Sequence, residues 1–519
     1  MRTIPLAETA ASAQSEATFE PLVTAAEAYP ALERLFLNAK HEIHASFRIF
    51  DPTTRLRSDE GCKIGETWFD LICHTLSRGV AIDLTLSDFD PVFGLELHQK
   101  SWKTFRQLCA ARECSPDAKL TMRVVMHPAK VGFLKRCLFW PVFYSHMKQR
   151  LREFDQMSGA KRTFAEAVSP GLMPLARRSR PFALPPVQYP ATHHQKLAVA
   201  DRKTLFIGGL DLNERRYDDT DHQRPGHQTW HDVSVLTTGV HVADAVAHLQ
   251  GFWKPDTKPV PQKTHADISF LRTLSRDSNA GPLKLAPHTQ LAEIESAHLD
   301  LFAGAKQLIY LETQFLRSQR ITRGLVRAAK HNPNLRLILI LPAAPDDVAF
   351  ENSGSRDARF GEFLQARALR HIRKAFGHRV FIGMSVRPAP RSTEDRSSAC
   401  GAELIYIHSK IAIADDSQAI VSSANLNGRS MRWDTEAGLH LSNQTHVSLL
   451  RRRLFEHWLP KDADGSLFDL SGAQASWANL AADNAKRAPN DRNGFIVPYD
   501  LKAAEDFGRD VPFVPPEMV

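Results

Sequence analysis

Apolar positions along this chain alternate between two periods. The stretch AAEAYPALERLFLNAKH, within residues 24 to 41, repeats its apolar residues three and four apart and predicts a helix. IHASFRIFDP then alternates and predicts a strand ending at Asp51-Pro52. Thr67 to Leu76 predict a second helix, and Val80 to Leu86 a second strand that ends in Ser87-Asp88. This β-α-β rhythm implies an α/β domain with a mostly parallel sheet. Residues 1 to 20, rich in Ala, Ser, Thr and Glu, read as a flexible N-terminus.

The rhythm returns. NAKHEIHASFRIF at 38 to 50 matches GAKQLIYLETQFL at 304 to 316, a lag of 266, and VAIDLTLS at 80 to 87 matches LRLILILP at 335 to 342, a lag of 255. Two copies point to a duplicated unit and not a solenoid. A polar pair, Glu312 and Gln314, stands in the second copy's first strand.

The strongest pattern sits further on. HHQKLAVAD at 193 to 201 contains His194, Lys196 and Asp201, and IHSKIAIAD returns the same spacing as His408, Lys410 and Asp415. A His-x-Lys pair puts an imidazole and an ammonium on one face of a strand. The surroundings repeat as well. Gly208-Gly209 and Ser422-Ser423 follow at equal offsets, and Asp211 and Asn425 stand seventeen residues past each histidine. The lag between the histidines is 214, so about forty extra residues lie between strand 80–87 and His194 in the first half.

Twin His-x-Lys-x4-Asp motifs are the mark of the phospholipase D superfamily, which this chain resembles from about residue 30 to 460. The run HHQKLAVADRKTLFIGGLDLNERRYDD followed by WHDVSV is most similar to eukaryotic-type members. The resemblance implies two fused α/β/α sandwich domains related by a pseudo-two-fold axis and sharing one site. The expected boundaries are a first domain at 21–255 with an aromatic and basic insertion at about 130–185, a linker at 256–290, a second domain at 291–460 and a C-terminal extension at 461–519.

It also implies a chemistry. A phosphodiester anion repels nucleophiles, so its charge must be cancelled while one group attacks and another protonates the leaving alkoxide. Two histidines in opposite protonation states do both jobs near neutral pH, and Lys196 and Lys410 would hold the non-bridging oxygens. By family analogy His194 attacks phosphorus and His408 is the acid, although the pseudo-symmetry permits the swap. Glu436 is expected behind the second histidine and Asp232 behind His194, each fixing a tautomer. Asp201 and Asp415 belong to the motif but are expected to brace backbone. Gly209, Ser423, Asn425, Glu312 and Gln314 are expected to line the pocket, and Tyr217 and Trp230 to stack on a quaternary ammonium. Asp211 departs from the Asn of many bacterial relatives. A carboxylate facing phosphate must be protonated, turned away or bridged by a cation, so a divalent ion beside Asp211 stays open, although the reaction requires no cofactor.

Composition adds little discrimination. The 519 residues are 43% hydrophobic and 24% charged, with a formal net charge of +8, which suits anionic partners, lipid or nucleic acid. Six cysteines without a Cys-x-x-Cys spacing, and histidines such as His222, His227 and His231 without ligand spacing, suggest no metal. No signal peptide and no membrane span of about 18 apolar residues is seen. The expectation is a soluble protein, cytoplasmic by default or exported without a leader; two motifs in one chain allow a monomer.

The insertion VGFLKRCLFWPVFYSHMKQRLREF mixes large apolar residues with Lys135, Arg136, Lys148, Arg150 and Arg152, followed by Lys161, Arg162, Arg177, Arg178 and Arg180. It reads either as an element entering a lipid boundary or as a packed helix with a basic face. The favoured function is hydrolysis of glycerophospholipids, phosphatidylcholine foremost, to phosphatidic acid, with transfer to other alcohols as a side reaction. A nuclease, a cardiolipin-synthase-like transferase and a non-catalytic module are the alternatives. A nuclease groove would want stacking aromatics.

Overall fold

The computed structural model describes residues 17–115, 117–176, 185–254, 259, 264–278, 281–391, 395–512 and 514–518. The flexible N-terminus expected for 1–20 lies outside this range up to residue 16; Phe19 and Glu20 already belong to a strand.

The first sheet contains β1 (Phe19–Val23), β2 (Glu42–Phe47), β3 (Ala81–Ser87), β4 (Leu120–Val125), β5 (Leu197–Ala200), β6 (Thr204–Gly208) and β7 (Val233–Thr238), in the order β1-β7-β6-β5-β2-β3-β4. The second contains β8 (Ile268–Arg276), β9 (His288–Ala292), β10 (Leu308–Thr313), β11 (Arg336–Ile340), β12 (Val380–Pro390), β13 (Ser398–Ala399), β14 (Ala402–Leu404), β15 (Lys410–Ala414), β16 (Gln418–Ser422), β17 (Glu436–Leu441) and β18 (Ile496–Pro498). Its path β8-β17-β16-β15-β10-β11-β12 repeats that of the first sheet strand for strand. The duplication read from the lags is thus a duplication of topology: two α/β units in one chain.

Two expectations need correction. The sheets are mixed, not mostly parallel. Only β2-β3-β4 and β10-β11-β12 run parallel, while β5-β6-β7 and β15-β16-β17 are antiparallel ladders. The turns Asp201–Lys203 and Asp415–Ser417 are too short for a parallel crossover. The second correction concerns the linker at 256–290, which holds β8, paired along six residues with β17, and most of β9. Its polar flanks conceal the alternating segment ISFLRTLSR. The C-terminal extension also joins the fold. β18 pairs with β12, and Trp477 and Ala481 of the helix Ala473–Lys486 enter the core.

That core joins the halves. Leu197, Val199, Leu205 and Ile207 from the first sheet share one apolar cluster with Ile411, Ile413, Val421 and Leu439 from the second. The intervening Ala198, Ala200 and Phe206 face a separate cluster under the first half's own helices. Both faces of β5 and β15 are therefore covered, which is why they read as near-continuous apolar runs.

The motif aspartates pin these strands. Asp201 accepts the backbone N–H groups of Lys40, His41 and Glu42 at 2.8, 2.8 and 3.0 Å. Asp415 accepts those of Lys306, Gln307 and Leu308 at 2.9, 2.8 and 2.8 Å. Each sits at a left-handed φ, 50° and 54°, where the chain reverses into the next strand. Asp and Asn adopt that conformation more readily than other non-glycine residues. Both aspartates thus hold strand register and touch backbone, not the site. Asp415→Ala, which strands three amides and leaves a Cβ-bearing residue at positive φ, is expected to lower unfolding free energy by about 2–3 kcal/mol in urea titrations; Asp201→Ala should cost less, because Asp201 is more exposed.

Candidate active site

The first histidine-lysine couple stands immediately before β5, and the second leads into β15, whose first residue is Lys410. Just before each, the chain crosses to the opposite half. His193 forms a parallel bridge with Thr435, and His231 forms one with Ile407. The His194 N–H donates to the Thr435 carbonyl at 2.8 Å, and the His408 N–H to the His231 carbonyl at 2.7 Å. These two bonds put residue 436 beneath His194 and residue 232 beneath His408.

The carboxylate assignment is therefore exchanged relative to expectation. His194 Nδ1 lies 3.1 Å from Glu436 Oε2, and His408 Nδ1 lies 2.6 Å from Asp232 Oδ2. Family analogy at the motif positions paired each histidine with the carboxylate of its own half, but the pseudo-two-fold contact makes each half supply the other's partner. Ser423 Oγ donates to Glu436. Gly209, its counterpart, leaves room for the other carboxylate: a Cβ there would lie 2.6 Å from Asp232 Oδ1. Gly209 and Ser423 thus seat the two carboxylates.

The ammonium groups fold back on their own motifs. Lys196 Nζ lies 3.2 Å from His194 Nε2, and Lys410 Nζ lies 3.0 Å from His408 Nδ1 and 3.4 Å from Gln314 Oε1. The couples act on one another. Burial foremost, then Lys196 and other cations including Lys410, holds His194 well below the ordinary histidine range. His408 is held down by burial, Lys410, Arg216, Lys196 and His194. Burial lowers Lys196 to about 8 and Lys410 to about 7, and pushes Glu436 up to about 8. Two imidazoles and two ammonium groups thus share a single buried electrostatic site.

Several expected substrate contacts have other work. Asp211 is fully buried and turned to the protein. Its Oδ1 accepts the Ile49 N–H at 2.9 Å, and its Oδ2 lies 3.9 Å from Arg216 Nη1. Glu312 is fully buried. It accepts from His231 Nε2 at 2.9 Å, from Tyr310 OH at 2.6 Å, from Trp458 Nε1 at 2.8 Å and from Ser409 Oγ. Trp230 cannot cage an ammonium ligand, because His408 stacks on one face at 4.0 Å and the Arg216 guanidinium lies 3.2 Å from the same ring centre on the other. Tyr217 is covered by Arg57 at 4.0 Å. Asn425 Oδ1 is buried without a hydrogen-bond partner among the described residues.

Sequence reasoning missed Arg48, Arg216 and Arg429. Arg48 and Arg216 are buried with guanidinium nitrogens lacking hydrogen-bond partners among the described residues, and all three act on a motif histidine. Arg48 was within reach. The lag of 266 that aligns β2 with β10 puts it opposite Gln314. Several cations converging on two buried imidazoles make an arrangement for an anionic group.

The family described as "Cardiolipin synthase, PLD-like domain" matches residues 299–458, which contain the second motif, Asn425 and Glu436. The chain belongs to the phospholipase D superfamily. Phospholipase D1 of Schizosaccharomyces pombe is 25% identical over 334 residues, covering 46% of this chain and 24% of that protein. A phospholipase D of Phytophthora infestans is 32% identical over 209 residues, covering 35% and 11%. This chain therefore matches about a quarter or less of those superfamily members. Among solved structures, a phosphatidylserine synthase of Haemophilus influenzae superposes over 84% of both chains with a TM-score of 0.48 and 14% identity.

The lowered lysine values set a pH dependence for this superfamily site. As pH rises through about 7 and about 8 the free site loses its ammonium charges and Glu436 gains a negative one, so both changes weaken anion capture. Expected for a soluble aryl phosphodiester is a kcat/KM that falls on the alkaline side with an apparent pKa between 7 and 8. A bound phosphodiester stabilises the ammonium form, so the limb of kcat should move to higher pH. A kcat/KM limb near the ordinary lysine value of about 10.4 would contradict the burial of these groups.

Proposed function

We propose that the protein is a phospholipase D that cleaves the distal phosphodiester of glycerophospholipids, phosphatidylcholine foremost, releasing headgroup and leaving phosphatidic acid. The observation that carries this reading is the meeting of both His-Lys couples in one buried cationic site, each imidazole backed by the other half's carboxylate.

In the first step His408 is imidazolium, having taken a proton from solvent as the anionic phosphodiester binds beside it; His194 Nε2 attacks phosphorus, the P–O bond to the headgroup breaks, and the His408 Nε2 proton passes to the leaving oxygen. In the second, water loses a proton to His408 Nε2 as its oxygen attacks phosphorus and the P–N bond breaks. An alcohol in place of water gives transfer. His194 as nucleophile is supported by its greater openness, with 11% of its side chain accessible against 2% for His408. The close Asp232 contact suits the imidazolium that His408 must become. Lys196, Lys410, Arg48 and Arg216 offset the charge that builds on the non-bridging oxygens. Arg216 supplies a positive charge beside Asp211, so the cycle needs no divalent ion there.

A lipid surface as partner is supported by the insertion. The helix Phe133–Asp155 buries Phe143, Met147 and Phe154 but leaves Phe133, Leu134, Leu138 and Val142 exposed, with Leu138 at 66%. Leu134, Leu138 and Val142 are four apart and form one stripe, with exposed Lys148 and Arg152 further along the helix. Arg177, Arg178 and Arg180 lie outside the described residues. No helix among the described residues is long and apolar enough to cross a membrane.

Incubated with phosphatidylcholine vesicles and ethanol, the protein should form phosphatidylethanol, and His194→Ala and His408→Ala should each lower turnover by about 10³-fold or more. Cleavage of single- or double-stranded DNA without lipid turnover would replace this reading with a nuclease; joining of two phospholipids without headgroup hydrolysis would replace it with a phosphatidyltransferase. Leu138→Asp should reduce vesicle turnover about tenfold while sparing a soluble aryl phosphodiester. Equal loss on both substrates would remove the membrane role of the helix.

A further inference from the structure

Behind His408, away from the phosphate side, three histidines converge that no step of the proposed cycle uses. His222 and His231 come from the first half and His457 from the helix Gln444–Trp458 of the second. One nitrogen from each lies within 4.8 Å of the others. His222 Nε2 and His457 Nε2 are 3.0 Å apart. Imidazole nitrogens held at about 2.0–2.1 Å by a tetrahedral ion sit about 3.4 Å from one another, so small side-chain rotations close the set around one point.

The outer contacts fix which nitrogens carry a free lone pair. Asp218 Oδ2 lies 2.7 Å from His222 Nδ1, and Glu312 Oε1 lies 2.9 Å from His231 Nε2. Each carboxylate accepts the proton of the nitrogen it touches, which assigns a lone pair to His222 Nε2 and to His231 Nδ1. His231 Nδ1 is buried and has no hydrogen-bond partner among the described residues, and His231 itself is fully buried. An orphaned lone pair in the interior is costly unless something binds it. A carboxylate on the far nitrogen of a histidine is also how ligating imidazoles are oriented. His222 is further held at φ 53°, a conformation few side chains adopt. The charges close as well, because a divalent ion on neutral imidazoles is balanced by Asp218 and Glu312. The nearby cation Arg453 is already paired with Glu27.

We propose that His222, His231 and His457 bind a structural zinc-class divalent ion with a water as fourth ligand. The ion would clasp the two halves behind the site. Water and metal would reach it past His457, which lines a surface cavity with Asp221 and Glu456 and with the cations Arg453, Lys461 and Arg492. Imidazole-only donors favour zinc over magnesium or calcium. Coordination replaces the His222–His457 hydrogen bond, with the His457 proton moving to Nδ1 or to solvent. The ion would tie the His231 backbone, whose carbonyl holds His408, to the second half's helix, so it would be a brace and not a participant in phosphoryl transfer.

Metal content of the full chain tests this independently of any lipid activity. After chelator treatment and reloading with zinc, about one ion per chain should survive gel filtration, and cobalt should give the visible bands of a tetrahedral nitrogen site. His457→Ala should weaken binding by about 100-fold or more, and Asp218→Asn, which acts through His222, by about tenfold, with circular dichroism confirming both folded. Zinc should raise the wild-type Tm and leave that of His457→Ala unchanged. No retained ion in folded wild-type protein would overturn the proposal and leave a metal-free hydrogen-bonded trio. A strong near-ultraviolet thiolate–cobalt band would equally overturn it, by placing the ion on cysteine thiolates.

Discussion

Each motif imidazole owes its tautomer to a carboxylate from the other half of the chain. The His194–Glu436 and His408–Asp232 contacts are buried hydrogen bonds between ionisable groups, and breaking one would leave a charge or a donor stranded in a medium that solvates neither. The geometry is all-or-none for that reason. Neither half is a complete site, and sliding one sheet along the other would disconnect both couples at once.

The surroundings make that contact hard to lose. The bridges His193–Thr435 and His231–Ile407 register the halves by backbone, and the shared apolar core joins β5 and β6 to β15, β16 and β17. Asp201 and Asp415 hold β5 and β15 against β2 and β10 from the far end. The residue between each histidine and lysine contributes too. Gln195 bonds Ser46 and Ser409 bonds Glu312, so alternating side chains of one strand serve the site and the scaffold by turns. The proposed three-histidine clasp continues the same logic one layer deeper, since His231 precedes Asp232 and its carbonyl holds His408.

Electrostatics explains why so polar a centre is tolerated. Lys196, Lys410, Arg48 and Arg216 are buried against Asp211, Asp232 and Glu436, and burial depresses the cations while raising the last two carboxylates. An unbound site of this kind is strained in charge and is relieved by a bound anion. That is a physical basis for binding an anion such as a phosphodiester.

The amino-acid sequence by itself determined the duplication, the strands that carry the motifs, and the identity of the four groups that meet. Those are local facts: period-2 alternation, a fixed offset from each histidine, and a constant lag between copies. Arg48 was legible in the same way once its strand was aligned with Gln314. Contacts across the pseudo-two-fold were decided only in three dimensions. Family analogy at the motif positions suggested pairing His194 with Asp232, and nothing in either half's pattern says that the carboxylates cross over. Likewise Trp230 and Tyr217 read as free aromatic faces until Arg216 and Arg57 were seen covering them, and Glu312 read as a pocket residue until its four donors were in place. His222, His231 and His457 have no motif spacing at all, because a cluster assembled from two halves of a fold leaves no period along the chain.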